Sequence, residues 1–304
     1  MAFIFCNRYL LQCDHGVILC RYAVVTGANK GIGLGICKQL ASHGITVVLT
    51  ARDESRGLDA LHQLKETGGL SGYLLFHKLD VTDSSSVDSL AEFIKTQFGR
   101  LDILVNNAGI AGAIEDVDAL RAALVSGGLT DFKAFCTETY DLSVACLETN
   151  YYGPKRMVEA FLPLLQSPRI VNVSSILGKL QFTPNAWAKG ILSDADNLTE
   201  ERVDEVLNEY LKVFKAGTHD AQGWPMAYTI SKASLNAYTR ILAKKWPSVK
   251  VNCVCPGHVK TDLGHDFGAL TVEEGAESPV RLALLPDDGP SGLFFSRKEA
   301  IFYE

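Results

Sequence analysis

Tyr228 and Lys232 stand four residues apart in AYTISKASLNAY, a stretch of helical character, so the phenol and the ammonium project from one face. A cation beside a phenol favours the phenolate and lowers the tyrosine pKa toward working pH, which suits proton transfer to a developing alkoxide. A Tyr and a Lys at this spacing are common on helix surfaces, so the pair takes its weight from its company. Ser175 supplies some of it. It closes the apolar run RIVNVSS, which puts its hydroxyl at the carboxyl edge of a sheet, where open α/β folds bind ligands and where it can hydrogen-bond a substrate oxygen. Its neighbour Ser174 reads as a strand or packing residue.

A second group of residues could hold a dinucleotide. Gly27, Gly31 and Gly33 in TGANKGIG lie between an apolar run, Tyr22 to Val25, and a helical spacing through Ile36, Leu40 and Ala41. Glycines in such a turn let the backbone approach a pyrophosphate, whose charge the amides at a helix N-terminus favour. Asn29, Lys30 and Ile32 fill the rest of the loop. NAD enzymes place an acid at the end of the second strand for the ribose hydroxyls. Here VLTARDESR offers Arg52, whose guanidinium suits a 2′-phosphate, and this favours NADP(H). Lys30 and Arg56 could extend the same positive pocket, Arg56 serving equally well as a solvated surface charge.

These residues require a scaffold that brings strand ends together. After Ile45 to Thr50, a helical stretch through Leu58, Leu61 and Leu64 leads to a strand at Tyr73 to Leu79, a helix with Val87, Leu90 and Ile94, and the strand LDILVNN. Later strands are Arg169 to Ser175 and Val249 to Gly257. Such alternation predicts an α/β fold, a Rossmann-type doubly wound parallel sheet covered on both faces. The 304 residues, 47% of them hydrophobic, suit one domain over residues 21–304. Two stretches interrupt the rhythm: Ala111 to Ala145, and Leu180 to Trp224, an inserted segment with a helix expected from Thr199 to Val213. Both could shape a substrate pocket or be surface decoration. Residues 1–20 lack a clean period and read as an atypical arm.

Composition narrows the function. A net charge of −6 argues against nucleic acid as a partner. No run approaches a membrane span. The eight cysteines are scattered through a chain too large to need staples, which favours a reduced, cytoplasmic setting. Cys253 and Cys255 share one strand face, and His258 and His265 nearby do not complete a familiar zinc spacing, so no metal site is expected. Asn172 and Asn197 open glycosylation-like triplets but read as ordinary asparagines.

TGANKGIG together with NNAG at Asn106 to Gly109 resembles the short-chain dehydrogenase/reductase family, from Arg21 to about Phe295. The resemblance implies that Asn107, Ala108 and Gly109 support the glycine loop and line the adenosine side, and that Asp80 and Val81 meet the adenine, with a helix-entry or turn acid as the lesser reading of Asp80. Ala51 stands where NAD-dependent members carry their acid. The resemblance further implies a tetrad of Asn150, Ser175, Tyr228 and Lys232. Asn150 would hold a water in a proton relay, and Lys232 would bind the nicotinamide ribose. In PGHVKT, Pro256 and Gly257 would shape a turn, and Val259 and Thr261 would face the carboxamide. The long insertion before Tyr228, with GWP and the ending PDDGPSGLFF, is similar to a subgroup of carbonyl reductases, plant menthone and neomenthol reductases and salutaridine reductase. That subgroup implies a monomer, because the inserted helix covers a surface other members use to oligomerise. The expected activity is NADPH-dependent reduction of a carbonyl on a small organic molecule, a terpenoid or alkaloid ketone or a broader range of aldehydes and ketones. The alternative is a non-catalytic NADPH-binding regulator on the same fold.

Overall fold

Short apolar runs, each followed by an amphipathic stretch, set up strand and helix in alternation from Tyr22 onward. The computed structural model describes residues 12–13, 16–17, 20–66, 70, 73–126 and 132–304. Most of the arm read over residues 1–20, Cys6 included, lies outside them; within it Gln12–Cys13 and Gly16–Val17 form a short antiparallel pair. In chain order the elements are β1 (Tyr22–Val25), α1 (Gly31–Ser42), β2 (Thr46–Ala51), α2 (Glu54–Glu66), β3 (Leu74–Lys78), α3 (Ser84–Phe98) and β4 (Leu101–Asn106). Next come α4 (Val117–Ser126), α5 (Tyr140–Leu147), a π-helical turn (Glu148–Tyr152), α6 (Gly153–Phe161), β5 (Leu165–Val173), α7 (Ala186–Ser193), α8 (Glu200–Lys215) and α9 (Ala227–Lys245). The chain ends with β6 (Lys250–Cys255), α10 (Val272–Ala283), β7 (Phe294–Ser296) and β8 (Glu299–Ile301).

These eight strands form the main sheet in the order β3-β2-β1-β4-β5-β6-β7-β8, parallel except for the β7/β8 hairpin, while Ile114–Glu115 and Cys136–Thr137 form a separate antiparallel pair. Strand order reverses between β1 and β4, and a crevice at such a switch point is where doubly wound sheets bind ligands. Alternate residues face opposite layers. Val24, Val48, Leu104 and Ile170 pack with Leu90, Met157, Phe161 and Ile230 of α3, α6 and α9. Ala23, Val25, Val47 and Ile103 pack with Ile36, Leu40, Leu64 and Val280 of α1, α2 and α10. Cys253 and Cys255 do share a face, and they pack against Phe294.

β5 begins earlier than the apolar run suggests, because Leu165 pairs with Leu101 across an irregularity in the register, carrying the strand through polar residues. Asn172 is fully buried, which closes its glycosylation-like triplet to modification. Its Oδ1 accepts from Asn106 Nδ2 at 2.9 Å and its Nδ2 donates to Thr239 Oγ1 at 2.9 Å, tying β4, β5 and α9 together. Further along α9, Ser174 Oγ donates to Asn236 Oδ1 at 2.6 Å, and Asn236 Nδ2 donates to the Gly178 carbonyl at 3.0 Å. The reading of Ser174 as a packing residue matches this bond.

α8 starts where the sequence indicates, with Thr199 Oγ1 accepting from the Arg202 amide at 3.3 Å and two acids in the first turn. Its apolar face, with Val203, Val206, Leu207 and Tyr210, is fully buried in the core that includes α5 and α9. Among the described residues no helix is long and apolar enough to cross a membrane.

Candidate active site

The turn from β1 into α1 is possible because of its glycines. Gly27 takes φ +61, and a Cβ there would sit 2.9 Å from the Ala108 Cα. A Cβ on Gly33 would come within 2.5 Å of Asn107 Nδ2 and 2.7 Å of the Gly27 carbonyl. Asn107 Nδ2 donates to the carbonyls of Thr26 (2.9 Å) and Gly27 (3.0 Å), while the amides of Asn107 and Ala108 each donate to Thr26 Oγ1 at 2.9 Å. The segment after β4 therefore braces the glycine loop. Lys30, the N-cap of α1, makes no side-chain capping bond, so its side chain caps none of the first helical amides. Asn29 is half-buried, and Ile32 packs on the core beneath α1.

Charged candidates fall into two sets. Arg52 is exposed directly after β2, at the same sheet edge as the loop. Lys30 forms an ion pair with Asp262, whose carboxyl it holds below the usual range. Arg56 turns back to Asp53 one helical turn earlier, at 3.8 Å. Asp80 Oδ1 accepts from the amide and hydroxyl of Thr82, at 2.9 and 2.7 Å, so this oxygen serves the turn. Val81 is buried, and a Cβ on Gly153 would lie 2.9 Å from it.

The tetrad residues come together from three elements. Tyr228 and Lys232 lie on one face of α9, with the ammonium 5.7 Å from the phenol ring centre. Ser175, just past β5, lies near the phenol, and its Oγ accepts from the Leu177 amide at 3.2 Å. Lys232 Nζ donates to the Val173 carbonyl at 2.8 Å, and its side chain is almost wholly buried. Asn150 sits in the π-helical turn, a local widening of the helix that recurs at functional sites. It is fully buried: Oδ1 accepts from the Ile110 amide (2.9 Å), and Nδ2 donates to the Ile110 carbonyl (3.0 Å) and to Ser231 Oγ (3.1 Å). A Cβ on Gly109 would lie 3.3 Å from Asn150 Oδ1 and 3.6 Å from Lys232 Nζ, so Gly109 keeps the space between them open.

The titration differs from the expected one. Burial pushes the Tyr228 phenol above the ordinary tyrosine range, against the lowering effect of Ser175, and it also brings Lys232 down from 10.5 to about 8. Desolvation is the largest influence on both groups in the protein alone. The expectation that the lysine brings the phenol toward neutral pH is thus corrected: burial dominates.

Pro256 is buried where β6 ends, Gly257 turns at φ +93, and Val259 is buried, forming a lone bridge to Leu270. Thr261 lies against the glycine loop, since a Cβ on Gly31 would be 3.2 Å from its Cγ2. The fold also recruits residues that sequence reasoning passed over. Thr26 was visible inside TGANKGIG but masked by its glycines, and Ser231 lies between Tyr228 and Lys232. Glu115, bonded to His265 across 150 residues, gave no local signal at all.

Residues 21–187 match the family model described as short chain dehydrogenase, and residues 213–288 match one described as Enoyl-(Acyl carrier protein) reductase. The chain is 62% identical over 287 residues to (+)-neomenthol dehydrogenase of Arabidopsis thaliana, an alignment covering 92% of this chain and 97% of that protein. It is 37% identical over 291 residues to Carbonyl reductase [NADPH] 1 of Bos taurus, covering 92% and 97%. The solved structure of salutaridine reductase from Papaver somniferum superposes with a TM-score of 0.85 at 52% identity, covering 91% of this chain and 99% of that one. With the braced glycine loop and the clustered Ser, Tyr, Lys and Asn, these matches establish that the chain belongs to the short-chain dehydrogenase family of oxidoreductases.

Proposed function

We propose that the protein uses NADPH to reduce the carbonyl of a small, largely apolar ketone, of the terpenoid or alkaloid kind named for its plant relatives. The observation that carries this reading is the buried Lys232 ammonium, which spends one of its three N–H groups on Val173 and sits between the Tyr228 phenol and the open space kept by Gly109. A buried cation with spare donors fits ribose hydroxyls. The first amides of α1 fit a pyrophosphate, and Arg52 fits a 2′-phosphate. The residues present therefore suit a nicotinamide dinucleotide, which supplies hydride when bound.

Ser175 and Tyr228 polarise the substrate oxygen, and Tyr228 gives it a proton as negative charge develops. A phenol held above its ordinary range is fully protonated at neutral pH, the form that an acid in the reductive direction requires. Lys232 orients the ribose, and Asn150, held in the π turn beside Ile110 and Ser231, supports a water-borne proton relay through Lys232. Ile114, Leu177 and Leu263, exposed apolar side chains close in sequence to Glu115, Ser175 and Thr261, favour an apolar substrate body. The covered face of α8 supports a monomer.

The test is NADPH consumption with menthone, an aromatic aldehyde and an alkaloid ketone, with NADH and Tyr228→Phe in parallel. Turnover should require NADPH and fall about a hundredfold or more in the variant while NADPH binding persists. Tight NADPH binding without turnover of any ketone would favour the regulator.

A further inference from the structure

Glu115 is out of character with the rim around it. Its neighbour Ile114 is exposed, whereas the Glu115 side chain is only 8% exposed, and its charge is felt at the Tyr228 phenol. Oε2 is bonded to His265 Nε2. Oε1 meets no hydrogen-bond donor among the described residues, and it is not sealed off from solvent. Oε1 is thus an acceptor that no protein donor meets, open to a ligand that brings a donor to it.

The other half of the contact is fixed as well. His265 and Asp266 take φ +48 and +60, left-handed values that residues with side chains rarely adopt. They sit at the tip of a loop whose base is closed by two backbone bonds, Leu270 N to the His258 carbonyl at 3.0 Å and Lys260 N to the Leu270 carbonyl at 2.8 Å. Strain tolerated at the tip of a closed loop is expected where a side chain must be presented in one direction. Here His265 holds the Glu115 carboxylate in place and leaves its second oxygen free.

We infer that Glu115 Oε1 anchors a hydrogen-bond donor on the substrate, a hydroxyl or a protonated amine set apart from the reacting carbonyl, and that the enzyme selects ketones carrying such a donor over hydrocarbon analogues. The inference rests on the carbonyl-reduction reading above. His265 is the positioning residue. The apolar side chains nearby accommodate the carbon skeleton, and Glu115 fixes which end of it faces Tyr228.

The experiment uses the full chain with NADPH and three cyclohexanones differing only at C4: hydroxyl, dimethylamino and methyl. Values of kcat and KM are measured for the wild type, Glu115→Gln and Glu115→Leu. The wild type should favour both donor-bearing ketones over the methyl compound by about ten- to a hundredfold in kcat/KM, carried by KM. Glu115→Leu should erase both preferences. Glu115→Gln, which keeps an acceptor but loses the charge, should retain the hydroxyl preference and lose that for the ammonium. Turnover of the methyl ketone by all three proteins shows folding and carbonyl reduction intact. If it occurs with no preference in the wild type, or with preferences unchanged in Glu115→Leu, the anchor is wrong and carbonyl reduction stands. If the wild type reduces none of the three ketones, both readings fall.

Discussion

Replacing Lys232 with Met should make the cofactor-free protein more stable near neutral pH while abolishing turnover. The drop in the lysine's pKa from 10.5 to about 8 through burial corresponds to about 3 kcal/mol of stability withheld when the ammonium is charged in both the folded and unfolded states. The methionine keeps the apolar stem and removes the charge. It also removes the 2.8 Å charge-assisted bond to the Val173 carbonyl, which gives back about 1.5 kcal/mol. The net gain is about 1.5 kcal/mol at pH 7, or a Tm higher by about 2 °C. The sign with pH follows from proton counting. Below about pH 8 both states carry the proton and the wild type bears the whole cost. Between about 8 and 10.5 the folded state releases its proton first, the unfolded state binds more, and wild-type stability rises with pH. Urea unfolding of both proteins at pH 7 and 9.5 should therefore show a gap that narrows at the higher pH. A variant no more stable than wild type at pH 7, or a gap that does not change with pH, would refute the claim that the lysine is held against desolvation.

Two other expectations can be checked on the same preparations. Arg52→Ala should weaken NADPH binding about tenfold or more and leave NADH binding unchanged, read from cofactor fluorescence; equal loss for both would remove Arg52 from the phosphate site. Leu207→Ala, in the fully buried face of α8, should cost about 2–5 kcal/mol in urea unfolding, and a loss below about 1 kcal/mol would mean that α8 is not part of the core.

The sequence is most readable where chemistry is local. Glycine spacing, an apolar run ending in serine, and Tyr and Lys on one helical face are statements about a few neighbouring residues, and each lands at the sheet edge expected of it. The π turn at Asn150 was not legible, because nothing in LETNYYG distinguishes a widened helix from a regular one; its geometry comes from the fit of Asn150 to Ile110 and Ser231. The upstream extension of β5 was hidden because the pairing partner, not the composition of Leu165–Val173, sets its start. Arg56 and Asp80 show the converse. Their types fitted a cofactor role, yet Arg56 and one Asp80 oxygen bond to residues within three positions, competition that a distant ligand would have to overcome. Glu115 marks the limit of local reading, since its partner lies 150 residues away.

α9 is fastened at three successive heights: Lys232 to the carbonyl of Val173, Asn236 to Ser174 and Gly178, and Thr239 to Asn172. Moving a helix along its axis by one residue advances it about 1.5 Å and turns it about 100°. Either displacement would strand all of these buried polar groups at once, each at about 1–3 kcal/mol. The shaft that carries Tyr228 is therefore keyed to the sheet and cannot slide or rotate to suit a new ligand. Changes in what the protein accepts must arise in the segments leaning over that shaft, the two insertions and the strip from His258 to Leu270, while the proton donor stays where it is.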